Sequence, residues 1–265
     1  MASFARRESE FGGFMKSIRR ILIPMMAAVL LGPSPSATAR ETITVGLEPF
    51  PPFIVDAETG YTITLLRRLE AASDLTFHIR MLSYSRAKSE LKNGKTDLIA
   101  HTPHGLETDA FYAFAQELDW RVETRTDLYA MEPDRLTRLA DRTIGIPRGN
   151  EEFFSELSGI PMKNLYPGNL ENLLKMLEAG RIDAFWFERA ATMTQLKGLQ
   201  MDGVYYRQMP EMPVSAGIAV ARTPAGTRLK ETLDALLEDT PHADIFAPYR
   251  SYMELPPEGR FMLDE

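Results

Sequence analysis

Four short stretches of this 265-residue chain carry side chains that could bind or react. His101-Thr102-Pro103-His104 places two imidazoles three residues apart. That spacing could ligate a metal, but two histidines need further ligands, and Glu107 and Asp109 are the only local candidates. Hydrogen-bonding or surface histidines, with no metal and no cofactor, are the expected state. Glu188 closes the apolar run Ala184-Phe185-Trp186-Phe187, where a carboxylate could receive an ammonium group or act as a general acid. Phe50-Pro51-Pro52-Phe53 holds two aromatic rings on a proline-stiffened loop suited to stacking. Arg148-Gly149-Asn150 leads into Glu151-Glu152-Phe153-Phe154, so Asn150 reads as a helix N-cap, and a helix start can receive an anion.

The elements that must position these residues follow an α/β rhythm. Glu41 to Leu47 alternates as a strand and runs into the Phe50 loop. Ile63 to Ala72 has helical apolar spacing, Thr76 to Leu82 is a strand and Ser85 to Lys92 a helix. Further strands are expected at Asp127 to Met131, Thr143 to Pro147 and Gly217 to Ala221. Helices are expected at Glu171 to Ala179, Thr227 to Glu238 and Ala243 to Met253. A pattern of Leu-x-x-Gly-basic-x-Asp-x-apolar occurs twice, at Leu91–Ala100 and Leu177–Phe185. Its glycine suits a left-handed helix stop, and its aspartates, Asp97 and Asp183, read as turn and strand-start residues. Two similar units imply two similar lobes. Alternating strands and helices imply parallel sheets, with ligand at the carboxyl ends of strands, where all four stretches fall.

Composition narrows the function. The net charge of −7 offers no basic surplus to meet phosphates, so no nucleic-acid partner is expected. Without cysteine there is no disulfide, thiol nucleophile or acylated lipoprotein anchor. A basic stretch after Met15, an apolar run from Ile21 to Leu31 and Ala37-Thr38-Ala39 make residues 1–39 a signal peptide, which a start at Met15 would fit better than Met1. Its 11-residue apolar run is too short to span a bilayer. Removing residues 1–39 takes away five basic and two acidic residues and moves the charge from −7 to −10. The expected product is an exported, periplasmic protein without a membrane span.

The order of motifs carries a resemblance: aromatic-x-Pro-Phe after a strand, Gly-aromatic opening a helix, Leu-x-x-Gly-Lys-x-Asp, Ile-Gly-Ile-x-x-Gly, Leu-x-x-Gly-Arg-Ile-Asp-Ala, then Gly-Ile-Ala-Val before a closing helix. Over residues 41–255 the chain resembles the periplasmic solute-binding proteins of polar amino-acid ABC importers (bacterial solute-binding protein family 3). The resemblance implies a two-lobed periplasmic-binding-protein-like (type II) α/β fold with a hinge of two crossing strands. Lobe 1 would be 40–120 plus 217–265, and lobe 2 would be 121–216. It also implies a ligand in the cleft between the lobes and an ABC permease as partner. Phe50 falls where the family stacks an aromatic ring on the ligand. Asn150 falls at the helix start that meets the ligand carboxylate, and Glu188 on the Asp that receives its ammonium.

Departures from the family redefine the ligand. Where its members hold the carboxylate with an Arg, this chain reads Leu106-Glu107-Thr108-Asp109, and no Arg lies between Arg86 and Arg121. Its small hydroxyl residues are replaced by His101, Thr102 and His104, and an acidic pair by Thr62 and Thr64. Two ligands fit: an amine without a standard carboxylate between Phe50 and Glu188, or an anion held by Arg148, the Asn150 helix end and protonated His101 or His104. The second would bind more tightly as pH falls. The expected function is capture of a small polar solute for an importer. A sensory or accessory clamp is the alternative, and a cyclohexadienyl dehydratase-like lyase using Glu188 as acid is a third reading.

Overall fold

A computed structural model describes residues 40–209 and 214–263; the signal-peptide expectation for 1–39 lies outside the described residues. The chain opens with β1 (Glu41–Leu47), α1 (Tyr61–Ala71), β2 (Leu75–Met81), α2 (Tyr84–Lys92) and β3 (Leu98–Pro103). β1 pairs in parallel with both β2 and β3, the arrangement that right-handed strand–helix–strand units produce. In α1 the apolar stripe Ile63, Leu65, Leu66 and Leu69 is buried on the sheet. Gly60 enters that helix with φ 127°, and a β-carbon there would stand 2.3 Å from the carbonyl oxygen of Phe53. Only glycine fits both the angle and the close approach.

The repeat turns out to be a strand clasp. Gly94 and Gly180 take φ 65° and 66°, ending the helices before them. The Asp97 carboxylate accepts the Thr44 amide at 2.8 Å, and its own amide donates to the Thr44 carbonyl at 2.8 Å. Asp183 does the same with Thr143, at 2.8 and 2.9 Å. Each aspartate thus pins the strand after it to a parallel neighbour, β1 for Asp97 and the strand Ile144–Pro147 for Asp183, as a turn residue and not a catalytic one.

Past β3 come α3 (Asp109–Tyr112), β4 (Ala115–Thr124), β5 (Thr126–Ala130), β6 (Ile144–Pro147), α4 (Glu151–Ser158) and β7 (Leu165–Gly168). Then follow α5 (Leu170–Glu178), β8 (Ala184–Glu188), α6 (Arg189–Gly198), β9 (Val204–Gln208), β10 (Val214–Ala221), α7 (Pro224–Asp239), α8 (Arg250–Met253) and β11 (Glu258–Phe261). Two sheets form, ordered β2-β1-β3-β10-β4 and β11-β9-β5-β8-β6-β7. The chain leaves the first sheet through β4, enters the second as β5 one residue later, and returns from β9 to β10. These are two crossing connections, as a hinge requires. Thr124 Oγ donates to the Val214 carbonyl at 2.5 Å, and the Thr126 hydroxyl donates to the Met209 carbonyl, tying the two crossings together.

The C-terminal part departs from expectation. A continuous helix over Ala243–Met253 is replaced by a 3-10 turn at Ala247–Tyr249 and the single turn α8. Pro248 supplies no amide for a longer helix. Residues 217–265 were expected as a whole in the first lobe, but β11 pairs antiparallel with β9 in the second sheet. The segment is held at both ends. Arg68 grips Asp244 at 2.6 and 2.8 Å, and the buried Arg189 donates to the Leu255 carbonyl at 3.0 Å.

Candidate functional site

β1, β3, β6 and β8 deliver their carboxyl ends to one place. A cavity of about 600 Å³, counting its open mouth, is lined there by Glu48, Phe50, His101, Thr102, Asn150 and Glu188. Tyr84, Phe153, Phe154 and Phe187 add aromatic wall. Five of the seven residues singled out from the sequence therefore meet. The two others do not line the cavity. Arg148 is exposed. His104 packs beneath β10, where a β-carbon on Gly217 would come within 2.8 Å of its ring, and its Nε2 bonds the Leu118 carbonyl at 3.0 Å.

Glu188 ends β8 and caps α6. Its Oε2 accepts the Ala191 amide at 2.6 Å and its Oε1 accepts the Tyr249 hydroxyl at 3.0 Å. The residue is 2% exposed. Burial raises its carboxyl to about 7, against the opposing pull of those hydrogen bonds. The helix dipole and two donors would keep the charge; desolvation wins because no cation among the described residues offsets it. Each oxygen retains a lone pair for a ligand donor.

Phe50 is 9% exposed and packs in a ring cluster, 4.7 Å from His101, 5.1 Å edge-on from Phe187 and 5.4 Å from Phe53, centroid to centroid. Its packing role and its place in the cavity wall coexist. His101 has φ 62°, an uncommon angle for a residue with a side chain, and such angles persist where the surroundings over-determine them. Its Nε2 meets Thr62 Oγ at 2.7 Å, while Nδ1 is buried without a hydrogen-bond partner among the described residues. Burial pushes the imidazole down to about 3, so His101 is neutral at physiological pH. The expected protonated His101 is thereby corrected: desolvation against the rings of Phe50 and Phe53 disfavours its charge, and no carboxylate among the described residues offsets it. Thr102 is fully buried and donates to Glu117 Oε1 at 2.8 Å.

Where an anion-holding Arg would stand, the chain has built a closed charge pair. Thr108 caps α3 through its side chain. Glu107 accepts the Tyr84 hydroxyl at 2.5 Å and meets Lys88 Nζ at 3.3 Å, and Lys88 also donates to the Gly149 carbonyl at 2.8 Å. The Lys88 ammonium is thus committed, and it clasps α2 to the loop before α4. The start of α4 is equally occupied: Glu151 accepts the Gly149 amide at 2.7 Å, and Asn150 caps with backbone alone. No Lys or Arg lines the cavity among the described residues.

Glu48 escaped the sequence reading because three prolines and an aromatic pair dominate its loop. It lines the cavity, takes the Tyr84 amide at the start of α2, and burial raises its carboxyl to about 7. Tyr249 was missed because it comes 61 residues after Glu188. The cavity is an aromatic box with two carboxylates, a neutral imidazole and a free amide side chain. It can hold a cation or a hydrogen-bond donor, and it opposes an anion.

No protein-family model matches the sequence, and no curated protein sequence does. Solved structures show the fold. An ancestral arginine-binding protein bound to arginine is similar over 80% of this chain and 99% of its own, at 20% identity and TM-score 0.67. A histidine kinase sensor domain with similarity to periplasmic binding proteins matches over 84% and 99%, at 19% identity and TM-score 0.65. The VFT2 domain of BvgS from Bordetella pertussis, as a double mutant, matches over 80% and 93%, at 16% identity and TM-score 0.63. The chain has the two-sheet clamp fold of periplasmic-binding-protein-like domains.

Proposed function

We propose that this chain is an exported clamp that closes on a small amine lacking an α-carboxylate and presents it to an ABC permease. The observation that carries this reading is the cavity wall: Glu48 and Glu188 line it, and no Lys or Arg does so among the described residues. An ammonium between Phe50 and Glu188 would satisfy a desolvated carboxylate and lie against aromatic faces. The proposed lobes are residues 40–124 with the strand and helix after 214, and residues 126–209 with β11. Closure about the two crossings would bring Phe50 and Glu188 onto the ligand from opposite sides. The anion alternative would need Arg148 and charged histidines, which do not line the cavity or are neutral.

Titration calorimetry at pH 8 against simple amines, amino acids and organic acids tests the ligand class. Binding of amines with weaker or absent binding of the other two classes supports it; preference for organic acids overturns it. A sensory clamp is the second reading, favoured by the likeness to kinase sensor domains. It separates from transport in cells: loss of labelled-amine uptake on deleting the protein supports an importer, and intact uptake with a lost transcriptional response supports a sensor.

A further inference from the structure

A second cavity, of about 800 Å³ counting its open mouth, adjoins the first. The two share Glu48 and Phe187 as a common wall. Beyond that wall Asn169, Glu171, Asn172 and Gln195 supply polar groups among Leu170 and the prolines Pro49, Pro51 and Pro147. We infer that the two cavities form one binding groove for an elongated ligand with two cationic nitrogens, one held at Glu188 and the other at Glu48. The inference rests on the amine reading above and extends it from one nitrogen to two.

Three observations carry it beyond a pair of acids. First, His101 lines the first cavity, and its buried Nδ1 has no hydrogen-bond partner among the described residues, an unsatisfied polar atom in the wall beside Phe50. Second, Glu48 faces both cavities with one amide donor, that of Tyr84, and no ion-pair partner among the described residues. Third, no Lys or Arg lines either cavity among the described residues. Lys88 on α2 serves Glu107 and the Gly149 carbonyl, and Lys175 on α5 pairs with Glu171 at 2.5 Å. A monoamine would leave one of the two glutamates desolvated and uncompensated, whereas a dication satisfies both. The aliphatic link between the nitrogens would cross the Phe187 edge.

Calorimetry with the intact chain at pH 8 tests this, using propane-1,3-diamine to hexane-1,6-diamine, the matching alkylamines and 5-aminopentan-1-ol. The best diamine is expected to bind at least about tenfold more tightly than its alkylamine, the ratio a second charge-assisted hydrogen bond provides. Glu188→Gln should weaken alkylamine and diamine alike, whereas Glu48→Gln should erase that ratio. Asn172→Lys, at an exposed helical position, should do the same by placing a positive charge in the second cavity. If alkylamines and diamines bind equally, or the amino alcohol binds as tightly as the diamine, the two-nitrogen groove is overturned while the amine site stands. If no amine binds, the underlying reading fails instead.

Discussion

Glu188 does two things that pull against each other. As the cap of α6 it stabilises the helix start, and as a buried carboxylate without a cation it opposes folding whenever it is ionised. Glu188→Gln keeps an acceptor for the Ala191 amide and a donor for Tyr249. It should therefore leave the ligand-free protein at least as stable at pH 8, with a gain on the order of 1–3 kcal/mol in urea unfolding. The same variant should bind amines roughly 10–100-fold more weakly. Affinity of the native protein should also follow the two glutamates. Because each ammonium needs its own glutamate ionised, binding should tighten as pH rises toward 7 and level off above it. The rise should be up to about tenfold per pH unit for each carboxylate coupled to the ligand. Calorimetry between pH 5.5 and 8.5 reads this, and tighter binding at low pH would restore the histidine-held anion. The location of Glu188 and His101 was legible in the sequence because strand ends are. Their protonation was not, since it depends on rings and hydroxyls contributed from elsewhere in the chain, Thr62, Phe187 and Tyr249 among them.

The clasp formed by each copy of the repeat is the element that sequence reading resolved best. Glycine, basic residue and aspartate are local, and their roles follow from backbone chemistry alone. Asp97→Ala should cost about 1.5–3 kcal/mol, the worth of one charge-accepted amide, and Asp183→Ala at least as much because its other oxygen also accepts from Arg135, neither changing ligand affinity. Gly60→Ala should be worse, costing about 3 kcal/mol or more, because it meets both a positive φ and the Phe53 carbonyl. Urea midpoints of the three variants would rank these costs, and a neutral Gly60→Ala would contradict the entry geometry of α1. Non-local elements were harder to read. β4 is the exception: from Leu118 to Thr124 it alternates, with Leu118, Trp120, Val122 and Thr124 turned inward and Asp119, Arg121 and Glu123 exposed, so the two-residue period of a strand is legible there. β11 carries Glu258 and Arg260 on exposed positions and gains its identity only from β9, which lies some fifty residues earlier.

For the whole molecule, the clamp stores a pH dependence that its composition does not disclose. Three groups at the cavity have displaced protonation: Glu48 and Glu188 are raised to about 7 from 4.5, and His101 is lowered to about 3 from 6.5. Between pH 7 and 4.5 the folded chain keeps two protons on the glutamates that the unfolded chain has released. From pH 6.5 downward the unfolded chain takes one on His101 that the folded chain refuses. The folded state therefore holds the net excess down to about 4.5, and stability without ligand should grow as pH falls from 7 to that point. Below it the glutamate terms are spent and the histidine term reverses the trend. Asp244, lowered to about 2 by Arg68, adds to the decline. The net of one proton gives on the order of 1 kcal/mol per pH unit, with Glu48 discounted for its partial exposure. A saturating dication inverts the slope, because it holds both carboxylates ionised and lends its binding energy to the folded state. Urea midpoints at half-unit steps from pH 4 to 8 should show a maximum near 4.5 without ligand and a rise toward neutrality with it. A ligand-free curve that climbs from 4.5 to 7 would mean that the glutamates are not desolvated, and that the cavity is wet and open in solution.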